Sequence, residues 1–314
     1  DKDAETVHVG QTVTYTIKGT VPDMTGYDNY VYKIHDTLTD GLDFVTNDNG
    51  TKVKVSVKIN GTEVADVTTA DFVGSDGNVS DTATRTMLLD LSQKVQAATA
   101  GQKIEVTYQA TVNKDAVVET KNSASLEYSN NPGDEKTGTT KPHEVVTPTY
   151  PLDVKKTDTH STMLADAHFT LYGANEDGTI DKTNVIKVTK DTDANGKYTY
   201  AEDQNTTDAI TDVITVGSGI DEKDYNLHIN GLKAGVYYLE ETQAPDGYNK
   251  LAAPVKVTIK KTGDTDYTVS TPNKQGVDTE EEDKIIDIEN STGSLLPSTG
   301  GRGAIAFGIV AAIL

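Results

Sequence analysis

Alternation of apolar and polar residues runs through most of the 314-residue chain and restricts it to β-structure. The segments 11–19, 51–60 and 102–112 each place valine, isoleucine or tyrosine at every second position, with polar residues between them. This period of two is typical of strands with one buried and one solvated face. Turn dipeptides such as Asn60-Gly61 separate the runs. The pattern predicts an all-β chain of antiparallel sandwiches, with one short helical stretch at residues 92–100.

Two domains and a tail are expected from the breaks in this pattern. The run 129–151 is polar and spaced by prolines, and a new strand begins near residue 150. From about residue 291 the chain becomes a polar linker and then an apolar segment. We therefore predict two tandem immunoglobulin-like antiparallel β-sandwiches, residues 1–149 and 150–292, followed by a flexible tail, residues 293–314.

Charge and composition exclude several classes of function. A formal net charge of −21 argues against a nucleic-acid partner or an anionic membrane. With no cysteine, the chain cannot use disulfides. The six histidines lack metal-ligand spacing, so no metal or cofactor is predicted. The run 191–202 satisfies a calcium-loop pattern, but its strand-like flanks and Asn195-Gly196 favour a hairpin turn.

Three polar residues break the alternation of the second domain. Lys156 follows Leu152 and Val154 on one face, Glu241 follows Tyr237 and Leu239, and Asn290 follows Ile286 and Ile288. Such groups are almost never fully buried unless they are paired. Either each side chain lies at a strand end and reaches water, or Lys156 and Glu241 form an ordinary ion pair, or the three meet in one core. Their positions in the first, a late and the last strand favour the third hypothesis.

A covalent reaction would explain this trio. Burial lowers the pKa of a lysine amine and raises that of a carboxylic acid, so that both can be neutral. A neutral acid can then donate a hydrogen bond to the asparagine carbonyl and carry protons while the amine attacks. Ammonia leaves and an isopeptide bond remains. We predict that Glu241 is the catalytic carboxyl and that Lys156 and Asn290 are joined.

The segment 237–248, YYLEETQAPDGY, resembles the E-box of Gram-positive pilins. The segment beginning LDVKKTD at residue 152 resembles the opening of a B-type domain of collagen-binding adhesins. This resemblance assigns the same three roles to Lys156, Glu241 and Asn290. The residues that match the E-box are Tyr237, Leu239, Glu241, Thr242, Ala244, Pro245, Gly247 and Tyr248.

The first domain resembles the preceding domain of pilus backbone subunits, on residues 9–45 and 117–130. The resemblance implies a second isopeptide bond with Asp36 as the catalytic acid and Asn122 as the acceptor. Its lysine belongs to a first strand that we expect upstream of this sequence, and Lys2 is a poor substitute. We therefore predict no bond here. A turn-capping role for Asp36 is the alternative.

The tail contains a sortase recognition pentapeptide, formed by Leu296, Pro297, Ser298, Thr299 and Gly300. The resemblance implies cleavage between Thr299 and Gly300 and transfer of the threonine carbonyl to an amine. The apolar segment 304–314 is shorter than the roughly 20 residues that span a bilayer, so a longer hydrophobic span is expected beyond it.

Taken together, these features predict a structural subunit of a covalent pilus anchored to the cell wall of a Gram-positive bacterium, and not an enzyme with an external substrate. Its partners would be a pilus-specific sortase, neighbouring subunits, and peptidoglycan through a housekeeping sortase. The alternative is the stalk of a monomeric wall-anchored adhesin. Neither a host ligand nor the lysine that receives the next subunit is identified, and we expect that lysine upstream of residue 1.

Overall fold

The computed structural model describes residues 1–293, and these divide into two compact β-sheet units. The first unit comprises residues 1–5 and 11–148. The second comprises residues 6–10 and continues from residue 149. The prediction of an all-β fold built from β-sandwich domains is confirmed. No helix among the described residues is long and apolar enough to cross a membrane.

The first unit contains eleven strands and one short helix. Its elements are β1 Thr12–Thr20, β2 Tyr32–Leu38, β3 Leu42–Phe44, β4 Lys52–Ile59, β5 Thr62–Glu63, β6 Thr69–Phe72, β7 Thr86–Asp90, α1 Ser92–Gln96, β8 Lys103–Val112, β9 Lys121–Ser129, β10 Thr137–Thr139 and β11 His143–Val146. The helix occupies only the first part of the segment in which the sequence predicts one.

One continuous sheet of these strands wraps around the core of the first unit. Its order is β1-β8-β4-β6-β7-β2-β9-β10, and β11 also pairs with β9. In β8, burial alternates as the sequence predicts, so that Ile104, Val106 and Tyr108 face the core. Strand β2 does the same and carries Asp36 on its buried face.

Up to residue 293, the second unit contains twelve strands in two sheets. They are β12 Tyr150–Asp158, β13 His168–Ala174, β14 Ile180–Ile186, β15 Val188–Lys190, β16 Lys197–Tyr200, β17 Val213–Ile214, β18 Leu227–Leu232, β19 Gly235–Gln243, β20 Val255–Lys261, β21 Tyr267–Pro272, β22 Asp278–Glu280 and β23 Ile285–Asn290. The connection between β15 and β16, residues 191–196, closes an antiparallel hairpin, as its turn residues indicate.

The first and last long strands of this unit are neighbours and run parallel. One sheet has the order β15-β16-β18-β12-β23, and the other runs β14-β13-β19-β20-β21-β22. The β12–β23 and β16–β18 pairs are parallel, whereas the sequence predicts antiparallel sandwiches. A parallel pair needs a long crossover, and for β12 and β23 that crossover is nearly the whole domain.

A short segment from early in the chain completes the second unit. Within residues 6–10, Val7 and Val9 are fully buried. The amide of Val9 donates a 2.9 Å hydrogen bond to the carbonyl of Gly231 in β18, and the amide of Ala234 donates to the hydroxyl of Thr6. The sequence places this segment in the first domain, because its alternation continues directly into β1.

Two turn glycines of the first unit provide a test of its packing. Gly41 and Gly61 both have positive φ angles, 95° and 79°. A Cβ atom on Gly41 would lie 2.6 Å from the Cα of Ala116, whereas one on Gly61 would meet nothing within 4 Å. We expect Gly61→Ala to cost about 1 kcal/mol of unfolding free energy from backbone strain, and Gly41→Ala at least about 3 kcal/mol, because the clash with backbone adds to that strain.

Urea denaturation of the full chain would measure both losses, with Gly61→Ala as the matched control. Equal losses would show that residue 116 moves away freely and that the turn at Gly41 is not tightly packed.

Candidate functional site

The three polar residues that break the alternation of the second domain lie together in its core. Lys156 is on β12 and Asn290 ends the neighbouring strand β23. Glu241 is on β19, in the opposite sheet. The exposed fraction is 0% for Lys156 and Asn290 and 2% for Glu241. These values exclude the hypothesis that the side chains reach water at strand ends.

The parallel register explains how Lys156 reaches Asn290. Lys156 pairs with Ile288 across β12 and β23, so Asn290 lies two residues further along on the same face. A long side chain can span this diagonal separation. The amine of Lys156 points toward β23, with Nζ 3.5 Å from the carbonyl oxygen of Ile288.

Hydrogen bonds fix the carboxyl group and the carboxamide. Oε2 of Glu241 accepts from the backbone amide of Leu251 at 2.7 Å and from Nδ2 of Asn290 at 3.0 Å. The same Nδ2 donates to the carbonyl of Asn249 at 2.6 Å. The asparagine nitrogen therefore faces the carboxyl, whereas the sequence argument expects its carbonyl there. Backbone amide and carbonyl groups in the 249–251 loop fix this orientation, and the alternation pattern does not reveal them.

Two buried oxygen atoms of this site have no hydrogen-bond partner. They are Oε1 of Glu241 and Oδ1 of Asn290. A buried acceptor left unpaired is unfavourable and requires an explanation. Both oxygens can accept a hydrogen bond, so the site can still take up a donor.

Burial also changes the pKa of the Lys156 amine. Desolvation lowers the pKa of Lys156 to about 8, and the charges of Glu241 and Glu289 only partly oppose this shift. With this pKa, about a tenth of the amine is uncharged at pH 7. An uncharged amine is a nucleophile, and a carboxamide with a carboxyl beside it is a possible acceptor.

The residues that resemble an E-box form β19 and the turn after it. Tyr237, Leu239 and Glu241 face the core, and the hydroxyl of Tyr237 donates to the carbonyl of Lys233 at 2.6 Å. Beyond the strand, the amide of Tyr248 donates to the carbonyl of Pro245 across a tight turn. This turn brings residues 249–251 back over Glu241 and Asn290.

The first unit contains a related cluster. Asp36 and Asn122 are buried on β2 and β9, and a tyrosine connects them. The hydroxyl of Tyr108 donates to Oδ2 of Asp36 at 2.5 Å and accepts from Nδ2 of Asn122 at 2.6 Å. Desolvation raises the pKa of Asp36 to about 7, although hydrogen bonds from Tyr108 and Asn122 lower it in part. Asp36 lies within β2, so the turn-capping alternative does not describe it.

Sequence reasoning missed Tyr108, which it assigned to the apolar face of β8. A buried tyrosine hydroxyl usually requires a partner, and this rule could have pointed to it. As in the second unit, one oxygen of each group, Oδ1 of Asp36 and Oδ1 of Asn122, lacks a hydrogen-bond partner. A groove of about 460 Å³, lined in part by Tyr15, Tyr108 and Asn122, lies beside the cluster.

The amine of Lys2 binds backbone carbonyl groups. Lys2 lies opposite Tyr15 at the edge of β1. Its amine donates to the carbonyls of Glu5 and Val146, at 2.9 and 2.6 Å. The described part of the first unit therefore buries a carboxyl and a carboxamide in one cluster, and the amine of Lys2 donates to two backbone carbonyls.

Other predicted features fall outside this site. The sortase pentapeptide, residues 296–300, and the apolar segment 304–314 lie outside the described residues. Within residues 1–293, no group of three or more histidine, aspartate or glutamate side chains could hold a metal ion.

Two protein families match the chain. The family described as Gram-positive pilin backbone subunit 2, Cna-B-like domain, matches residues 9–132. The SpaA family, described as a prealbumin-like fold domain, matches residues 151–275. No protein in a search of curated sequences matches significantly.

Solved structures of pilins share the fold. A 35 kDa C-terminal fragment of the major pilin GBS80 of Streptococcus agalactiae is 19% identical, with a TM-score of 0.55 over 92% of this chain and 98% of that one. The pilus 2b backbone protein of group B streptococcus is 22% identical, with a TM-score of 0.55 over 95% and 99%. The major pilin SpaA of Corynebacterium diphtheriae is 15% identical, with a TM-score of 0.56 over 91% and 65%.

The two family matches follow one another along the chain and leave only its ends and a short connection uncovered. The chain is therefore similar to Gram-positive pilin backbone proteins, in sequence over residues 9–132 and in fold over most of its length.

Proposed function

We propose that the second domain forms an isopeptide bond between Lys156 and Asn290, with Glu241 as the proton carrier. The observation that carries this proposal is the burial of all three side chains in one core. An amine, a carboxyl and a carboxamide would be costly to bury as separate groups. Their joint burial is expected if the folded state leads to a neutral covalent product.

The reaction balances without any further reactant. The lone pair of Lys156 Nζ attacks Cγ of Asn290, and the bond between Cγ and Nδ2 breaks. A proton from the attacking amine passes through the Glu241 carboxyl to the departing nitrogen, which leaves as ammonia. The hydrogen bond from Asn290 Nδ2 to Glu241 Oε2 places the carboxyl beside the leaving group. Because each chain reacts once, the protein is not a turnover enzyme.

The bond would constrain almost the entire second domain. By analogy with a disulfide loop of this length, it would stabilise the folded state by about 5 kcal/mol through restriction of the unfolded chain. It would also join the first and last long strands of the domain. Both effects suit a subunit that must remain folded outside the cell without disulfides.

In the first unit, we propose that Asp36 and Asn122 form the corresponding acid and acceptor, and that no bond forms within residues 1–149. The amine of Lys2 binds two backbone carbonyls, which supports this prediction. Asp36 is instead held by the hydroxyl of Tyr108. This unit would then depend on noncovalent packing alone.

At the level of assembly, we propose that the chain polymerises with other pilin subunits through its LPSTG motif. A pilus sortase would cleave after Thr299 and transfer the threonine carbonyl to a neighbouring subunit. A housekeeping sortase would attach the finished fibre to peptidoglycan at the cell wall. The SpaA structure, described as pointing to a modular pilus assembly stabilising isopeptide bonds, supports this function by analogy. The stalk of a monomeric wall-anchored adhesin is the alternative.

Intact mass of the purified chain tests the proposed bond. We expect wild type to be lighter than its calculated mass by one ammonia, because Lys156 and Asn290 have joined and the first unit has not reacted. Lys156→Ala, Glu241→Ala and Asn290→Ala should each have the full calculated mass, apart from the substitution itself.

Matched controls come from the adjacent residues on the opposite face. Lys155 pairs with Asp224 and Glu240 with Lys182 at the surface, so Lys155→Ala and Glu240→Ala should still lose one ammonia. A wild-type mass equal to the calculated value would refute the proposal for the second domain. Loss of two ammonias would refute the prediction for the first.

The rate of bond formation should depend on pH through Lys156. Because the pKa of this amine is about 8 and only its neutral form attacks, the rate should rise about tenfold from pH 6 to pH 7 and level off above pH 8. Intact mass after a pH shift of newly synthesised chain would follow the reaction. A rate that kept rising to pH 10 would indicate an amine that is not desolvated.

Sortase recognition can be tested with triglycine as the amine. We expect a sortase to replace residues 300–314 with triglycine, giving a product that mass spectrometry identifies. Thr299→Ala should abolish the reaction because the threonine supplies the scissile carbonyl. Ser298→Ala changes the variable position of the motif and should still react. An inert wild-type chain would contradict the assignment of the pentapeptide.

A further inference from the structure

Asn226 is a fully buried asparagine whose side chain holds the backbone of Lys156. Its Oδ1 accepts a hydrogen bond from the Lys156 amide at 2.7 Å, and its Nδ2 donates to the Lys156 carbonyl at 3.2 Å. One side chain thus contacts both backbone polar groups of Lys156, and the Lys156 carbonyl also accepts a 2.9 Å hydrogen bond from the amide of Leu164. The sequence shows only an asparagine ahead of a strand, which is an ordinary turn residue.

The position of Asn226 explains why a side chain is needed at this point. The ladder between β12 and β18 runs from Tyr150 to Val154, where Val154 pairs with Leu227. Lys156 lies beyond the end of β18. The carboxamide of Asn226 therefore takes the place of a strand backbone and continues the hydrogen bonding for one more residue pair.

The carboxamide is itself fixed by two other segments. Nδ2 also lies within hydrogen-bond distance of the carbonyls of Leu164 and Val216, at 3.0 and 2.7 Å. The backbone amide of Asn226 donates to the carbonyl of Val154 at 2.9 Å. Because these contacts anchor Asn226 from several directions, they restrict the position of the Lys156 backbone.

We propose that Asn226 is a positioning residue for isopeptide formation, which deepens the proposed function and rests on it. The Lys156 amine must approach Cγ of Asn290 at the end of a flexible side chain. An error of about 1 Å in the origin of that side chain can slow a reaction of positioned groups on the order of a hundredfold. Asn226 fixes this origin and touches none of the reacting atoms.

Thr215 provides the matched control. It is buried to 2% exposure, and its hydroxyl donates to the carbonyl of Leu164 at 2.7 Å and accepts from the amide of Ala167 at 3.1 Å. It thus shares one partner with Asn226, and its side-chain hydrogen bonds go to Leu164 and Ala167. Substitution of either residue removes buried hydrogen bonds, but only the Asn226 substitution removes side-chain contacts to the Lys156 backbone.

The test compares Asn226→Ala with Thr215→Val in two backgrounds. In Glu241→Ala chains, where no bond forms, we expect both substitutions to lower the melting temperature, and only Asn226→Ala to speed hydrogen exchange of the Lys156 amide. In chains that retain Glu241, ammonia loss should slow at least tenfold in Asn226→Ala and less than twofold in Thr215→Val. Rates are measured by intact mass at a temperature where circular dichroism shows every variant folded.

Each outcome of this experiment supports or contradicts the positioning role of Asn226. Equal rates in Asn226→Ala and Thr215→Val, with wild type reacting, would overturn the positioning role and leave the proposed function standing. A wild-type chain that never loses ammonia would overturn both. If Asn226→Ala does not fold, Asn226→Ser, which keeps a small polar side chain, takes its place. Its ammonia loss must then be at least tenfold slower than that of wild type, while that of Thr215→Val is less than twofold slower.

Discussion

The second domain depends on the burial of an amine, a carboxyl and a carboxamide inside an otherwise apolar core. In water these groups are well solvated, and in the core their solvation must come from one another. The hydrogen bonds of Glu241 and Asn290 satisfy only part of this requirement, because Glu241 Oε1 and Asn290 Oδ1 stay unpaired. Under the proposed function, this arrangement is the state before a reaction that removes the amine and its potential charge.

Strand pairing brings Lys156 close to Asn290, and the loop after β19 fixes the orientation of the Glu241 and Asn290 side chains. Parallel pairing of β12 with β23 sets Lys156 and Asn290 on one face, two residues apart in register. The loop after β19 supplies an amide from Leu251 and a carbonyl from Asn249 that hold the carboxyl and the carboxamide. Strand pairing thus brings Lys156 and Asn290 close together, and the loop directs the amide nitrogen of Asn290 toward the carboxyl of Glu241.

Much of this could be predicted because strand alternation has a period of two, so a polar residue on the apolar face is visible in the sequence alone. That rule identified Lys156, Glu241, Asn290 and Asp36 as inward-facing residues. It could not show which strands are neighbours, and therefore missed the parallel β12–β23 pair and the segment 6–10 that packs in the second unit. Contacts such as those of Asn226 join positions 70 residues apart, and no local pattern encodes them.

The locations of Lys156 and Asn290 within their strands have a mechanical consequence. Lys156 lies near the end of β12, and Asn290 is the last residue of β23. When a fibre is stretched, tension that enters this domain through β12 leaves it after β23. With the two side chains joined, tension would cross from residue 156 directly to residue 290, so that the 133 residues between them stay slack while the fibre is taut.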